Sequence, residues 1–175
     1  HFEAALSLKK LIIENVNKLE YCYLTENNNI ILDYLEVPFT GKTIDDENFN
    51  PIGASLIDKL VITKGESIYI WDNVNSFVLH DGVKKIYKIH AKVMNEIELP
   101  KSLTYIDEYA FYDWTNLKKV AIPDSITNIP QDLFLHNEFI EELTLPFVGT
   151  DYNSGVIKDI LGDLYTAPLK KVTVT

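Results

Sequence analysis

The chain has 175 residues, 46% of them apolar, and a net charge of −10 from 26 acidic against 16 basic residues. That apolar share supports a folded core rather than a disordered chain, and no apolar run reaches the roughly 18 residues of a membrane-spanning helix. All 16 basic residues are lysines, so the chain has neither a basic face nor the bidentate guanidinium fork, which argues against nucleic acid or an anionic membrane surface as partner.

The chain opens on His1 with no signal-peptide-like stretch. The natural N-terminus, with any export signal or wall anchor, is therefore expected to lie before it. Cys22 is the sole cysteine, so no disulfide can close within the chain. Next to Tyr23 it reads as a small buried residue rather than a nucleophile.

From the N-terminus onward, one unit recurs: an apolar residue, two spacers, an apolar residue, one spacer, an apolar residue. It appears as Leu8/Leu11/Ile13, Leu32/Leu35/Val37, Ile57/Leu60/Ile62 and Val74/Phe77/Leu79. It returns as Met94/Ile97/Leu99, Leu117/Val120/Ile122, Ile140/Leu143/Leu145 and Leu169/Val172/Val174. The central positions lie 24, 25, 17, 20, 23, 23 and 29 residues apart, mostly within the span of a leucine-rich repeat. Two apolar residues separated by one spacer share a face of a short strand. Stacking such strands predicts a parallel sheet with a continuous aliphatic ladder inside.

Self-similarity is clearest at an offset of 23. Ile97, Leu99, Pro100, Ser102, Leu103, Thr104, Ile106, Phe111 and Leu117 fall without gaps on Val120, Ile122, Pro123, Ser125, Ile126, Thr127, Ile129, Phe134 and Ile140. Pro38, Pro100, Pro123 and Pro146 each follow the last inward residue, where a missing N–H ends the strand. Leu103/Ile106 and Ile126/Ile129 then send a second set of side chains inward, and Ala110-Phe111 and Leu133-Phe134 fill the far wall.

The segments Ile122-Pro123-Asp124-Ser125-Ile126-Thr127-Asn128-Ile129 and Leu103-Thr104-Tyr105-Ile106-Asp107-Glu108-Tyr109-Ala110-Phe111 resemble the BspA-type leucine-rich repeats of bacterial surface proteins. The resemblance is closest over residues 77–147. Trp114 stands where that family commonly has cysteine, and Asn137 takes the same slot one repeat later, a departure that bears on packing. Kinship of this type implies a secreted or surface-attached bacterial protein that engages host molecules, matrix or neighbouring cells.

The expected fold is an α/β-type repeat solenoid, right-handed, with roughly eight short parallel strands and irregular, turn or short helical connections. Residues 1–175 form one domain in this reading, a piece of a longer array. Leu35-Glu36-Val37-Pro38-Phe39-Thr40-Gly41 echoes Leu143-Thr144-Leu145-Pro146-Phe147-Val148-Gly149, so residues 8–63 are read as a duplicate of about 117–175. Phe2 precedes Leu8 by six, as Phe111 precedes Leu117, which starts the chain inside a repeat; it stops on a strand without a polar cap.

Candidate chemistry is sparse. His80, His90 and His136 lack the spacing that would put two metal ligands on one face. Asp45-Asp46-Glu47 reads as a solvated loop. Asp151-x-Asn153-x-Gly155 with Asp159 imitates a calcium loop, but Val156 replaces the turn glycine and Gly162 the closing glutamate. Glu141 and Glu142 are adjacent on a strand and face opposite sides, so they cannot act at one bond. Tyr69-Ile70-Trp71 is weighed as a sugar platform and read instead as core packing. No catalytic residue, cofactor or metal is expected.

What remains is the sheet face turned from the core. By alternation it presents Tyr34 and Glu36, Lys59 and Val61, Ser76 and Val78, Glu96 and Glu98, Lys119 and Ala121, Glu142 and Thr144. Solenoids use such concave faces for recognition. The expected role is a monomeric, non-catalytic module binding a protein or glycan there; the rival is a passive spacer carrying a domain encoded elsewhere.

Overall fold

A computed structural model describes residues 7–14, 30–38, 56–70, 74–89, 93–153, 155–162 and 168–175. Cys22, His90, Phe2, Trp71 and the Asp45-Asp46-Glu47 cluster lie outside the described residues.

The described elements are nearly all short strands. They run β1 (Lys10–Ile12), β2 (Ile31–Leu32), β3 (Tyr34–Val37), β4 (Leu56–Ile62), β5 (Gly65–Ile70), β6 (Val74–Leu79) and β7 (Val83–Ile89). Then follow β8 (Glu96–Glu98), β9 (Tyr105–Ile106), β10 (Lys119–Ala121), β11 (Glu142–Leu145), the four-residue helix α1 (Lys158–Leu161) and β12 (Lys171–Val174). Among the described residues every strand pairing is parallel, as expected when each repeat returns the chain to the same side.

The register follows the aliphatic spacing. Leu11 lies opposite Leu35, Leu35 opposite Leu60, and Leu60 opposite Phe77. In the second ladder Ile97 lies opposite Val120, Val120 opposite Leu143, and Leu143 opposite Val172. A slip of one residue would turn each aliphatic set to solvent, which is why the pattern fixes the pairing. Leu35, Leu60, Ile97, Val120 and Leu143 belong to one buried cluster. At about 1.5–3 kcal/mol for each fully buried aliphatic side chain, that shared cluster is the main source of cohesion.

Four ladder strands, β3, β10, β11 and β12, also start alike. The Asn95 carbonyl accepts from the N–H groups of both Lys118 and Lys119. The Lys118 carbonyl does the same for Glu141 and Glu142, and the Glu141 carbonyl for Lys170 and Lys171. Lys9 repeats the arrangement toward Asp33 and Tyr34. The recurring serine has a matching task. Ser102 Oγ donates to the Val83 carbonyl at 2.8 Å while accepting from the Gly82 N–H at 2.7 Å. Ser125 Oγ donates to the Leu103 carbonyl. Each hydroxyl therefore ties its repeat to the one before.

Two features depart from the sequence expectation. Among the described residues β6 and β8 share no pairing, so the expected single ladder divides into a part ending at β6 and a part running from β8 to β12. At this junction the connection passes through a second parallel sheet, β5–β7–β9, whose Ile68, Ile70, Val83, Ile86, Ile89 and Ile106 join the same core. The sequence reading expected irregular, turn or short helical connections between the ladder strands, whereas 65–70 and 83–89 are strands. A register shift between Ile68 and Tyr69 and the spacing of three between Val83, Ile86 and Ile89 obscure the strand period of two.

The turns carry their own signature. Asp113 and His136, 23 residues apart in equivalent positions, both adopt left-handed backbone with φ of 59° and 64°. Asp and His are among the side chains that tolerate that region best. Gly162 closes α1 with φ of 84°, and a Cβ there would meet Leu135 Cδ1 at 2.8 Å.

Candidate functional site

The two ladders turn their non-core residues to one side each, and the strand register arranges these in rows. In the second ladder the first row is Glu96, Lys119, Glu142 and Lys171, alternating in sign across four neighbouring strands. Lys119 Nζ lies 3.2 Å from Glu142 Oε1. Exposed pairs of this kind contribute little, about 0–1 kcal/mol, but they hold the row near neutrality. The second row is Glu98, Ala121, Thr144 and Thr173. Glu96, Glu98, Lys119 and Ala121 are exposed, while Glu142 and Thr144 are half-buried.

The first ladder differs. Its row is Ile12, Glu36, Val61 and Val78, with Ile12 46% and Val78 40% exposed. Tyr34 OH donates to Glu36 Oε2 at 2.6 Å, and Lys10 Nζ sits 4.7 Å from the Tyr34 ring centroid. The Tyr34 hydroxyl is held above the ordinary phenol value, chiefly because its hydrogen bond to Glu36 favours the protonated form. Lys59 lies opposite Ser76, whose hydroxyl donates to the Asp58 carbonyl at 2.7 Å.

Val61 departs from the expected accessible surface. It points away from Leu60 and Ile62, yet only 4% of it is exposed, and it is not a member of the core cluster. It therefore adds apolar character beneath the face rather than a contact on it. The other eleven expected face residues are at least partly accessible.

A family model for the BspA-type leucine-rich repeat region matches residues 63–166 in six copies, more than half of the chain. The chain belongs to the BspA-type leucine-rich-repeat family. No curated protein and no solved structure matches it.

Within this BspA-type frame the remaining candidates lie in the core and in the turns. Trp114 is wholly buried and Asn137 nearly so. Asn137 Nδ2 donates to the Phe111 carbonyl at 2.7 Å and to the Leu135 carbonyl at 3.3 Å. Exposed His80 follows β6, its N–H donating to the Ile62 carbonyl at 2.9 Å. His136 is exposed at its left-handed turn. The Asp151 carboxylate accepts from the Asn153 N–H at 2.6 Å, a local turn-forming bond. Ile70 of the weighed aromatic segment is fully buried. Among the described residues no three His, Cys, Asp or Glu side chains are grouped closely enough to hold a metal ion, and no helix is long and apolar enough to cross a membrane.

Glu141 and Glu142 take different lysines. Glu141 Oε2 pairs with Lys170 Nζ at 2.9 Å, which holds its carboxyl below the ordinary value, whereas Glu142 pairs with Lys119. One surface escaped the sequence reading: the tyrosines outside the second sheet. Its only signal was an aromatic beside each inward residue, Tyr105 before Ile106 and Tyr109 and Tyr112 around Ala110-Phe111.

Proposed function

We propose that the chain is a non-catalytic scaffold of a bacterial cell-surface or secreted protein that binds a protein or glycan through the outward face of its β1–β3–β4–β6 and β8–β10–β11–β12 strands. The observation that carries this reading is the set of in-register outward rows, which array mixed apolar, tyrosyl and charged groups across neighbouring strands. Membership of the BspA-type family supports the surface location. The parallel register and the single core support one right-handed solenoid of roughly eight turns, with the second sheet as its other wall.

The rows assign the work unevenly. Tyr34 offers an aromatic ring, the side-chain type enriched in recognition surfaces; Val78 adds accessible apolar area and Glu36 a hydrogen-bond acceptor. The alternating Glu96–Lys119–Glu142–Lys171 row favours a second reading, in which this part is a solvated, self-paired face of a passive spacer. A glycan and matrix-protein binding array separates them. Tyr34→Ala, Glu36→Gln, Glu96→Gln and Glu98→Gln are expected to abolish binding seen with the parent chain. Unchanged binding in all four removes the assignment of this face, and a hydrolase domain in the full reading frame favours the spacer.

A further inference from the structure

The second sheet carries a chain of aromatic side chains on the surface away from the core. Ile106 is 1% exposed, whereas its neighbour Tyr105 is 42% exposed. Tyr87 on the adjacent strand packs against Tyr105 with centroids 5.5 Å apart. In the following turn Tyr109 and Tyr112, 53% and 38% exposed, meet edge to face at 6.0 Å. Tyr112 then meets His136 of the next repeat at 5.3 Å and 90°.

Asp107 joins the two halves of this patch. Its Oδ2 accepts from Tyr105 OH at 3.1 Å and its Oδ1 accepts from the Tyr109 N–H at 3.2 Å. One carboxylate thus helps to fix a ring on each side of it. The edge-to-face contacts leave more ring surface open than a closed stack would.

Two carboxylates, Asp107 and Glu108, stand beside Tyr109, while Lys85 of β7 lies opposite Tyr105 and leaves the acidic character on the Tyr109 side of the patch. Among the described residues neither Asp107 nor Glu108 makes an ion pair. Both phenols are pushed above their ordinary value: Tyr105 by burial first and then by the Asp107 charge, Tyr109 first by the charge of Glu108. Aromatic faces attract cations through the ring quadrupole, and adjacent carboxylates add charge-assisted bonds. A neutral sugar would use the rings but gain no ionic attraction from the carboxylates, and a polyanion would be repelled.

We propose that this patch binds a basic polypeptide segment, with Lys or Arg side chains seated on Tyr109 and Tyr112 and paired with Asp107 and Glu108. Because Tyr105 belongs to the β5–β7–β9 sheet and Glu96 and Glu98 to the other, failure at one face leaves the other untouched.

The test is a fluorescence-anisotropy titration of the full chain with a labelled octalysine peptide at near-physiological salt. Tyr109→Phe and Tyr112→Phe keep the ring face and are expected to retain binding. Tyr109→Leu and Tyr112→Leu keep apolar bulk but lose the quadrupole, and each should weaken binding about two- to fivefold. Glu108→Gln should weaken it by a similar factor and flatten its salt dependence, while Glu14→Gln, a distant exposed carboxylate, should change nothing. Absence of binding, equal binding by the Leu and Phe variants, or an equal loss in Glu14→Gln would overturn the proposal. So would a loss confined to Glu96→Gln with Glu98→Gln, or capture of a neutral oligosaccharide at the tyrosines in place of the peptide.

Discussion

The indole of Trp114 lies nearly parallel to the ring of Phe111, with centroids 5.6 Å apart and 13° between the planes. The same indole stacks on Phe77 at 6.1 Å, and Phe111 stacks on Phe134 at 5.8 Å. Four buried aromatics from three repeats therefore form one column, and Trp114 extends it from the second ladder to the central residue of β6. Trp114→Ala is expected to cost about 3–5 kcal/mol in urea unfolding. Trp114→Phe should cost much less, because it keeps a ring in the column and removes an indole N–H that has no acceptor among the described residues.

Asn137 holds the turn beside that column. Asn137→Ala leaves the Phe111 carbonyl without this donor, for an expected loss of about 1–3 kcal/mol. Asn137→Asp should cost more at neutral pH, since it brings a buried carboxylate toward two carbonyl oxygens. Equal stability of the Ala variant and the parent chain would remove this role.

The two ladder serines should not be equivalent. Ser102→Ala breaks two bonds between repeats and Ser125→Ala one, at about 1 kcal/mol for each bond. Ser102→Ala is further expected to speed hydrogen exchange at the Gly82 amide, whereas Ser125→Ala leaves that amide unchanged.

Glu141 makes the pair with Lys170 pH-dependent in a defined direction. The hydrogen bond from Lys170 lowers the folded carboxyl below its unfolded value. Its contribution is therefore complete above the ordinary glutamate value, about 4.3, and is lost as pH falls through the folded value. An NMR titration should show Glu141 titrating below its exposed counterparts, and Lys170→Met should move it back toward them.

The spacing of Leu11, Leu35, Leu60 and Phe77, and of Ile97, Val120, Leu143 and Val172, was enough to read the register within each ladder. The period of a strand leaves one pairing that lines these residues up side by side, although Val172 on β12 stays 39% exposed and Leu11 on β1 half-buried, because each lies on an outermost strand of its ladder. Ser102 and Ser125 were visible as a repeat, although their bonds to the preceding repeat were not, because a hydroxyl has no directional pattern in sequence. The second sheet was hidden where the bulge at Ile68/Tyr69 and the spacing of Val83, Ile86 and Ile89 break alternation. For Val61, alternation gives direction but not cover, so its burial was not legible. Tyr105, Tyr109 and Tyr112 were missed for a related reason: they sit beside the core-forming residues that drew attention, and only the fold shows which rings face outward.

The most direct test of the architecture is the pattern of backbone NOEs between β8, β10 and β11 in solution. Parallel pairing predicts inter-strand contacts that place Val120 opposite Ile97 on one side and Leu143 on the other, with slow amide exchange across the three strands. Antiparallel contacts, a register displaced by one residue, or rapid exchange throughout Glu96–Glu98, Lys119–Ala121 and Glu142–Leu145 would contradict it.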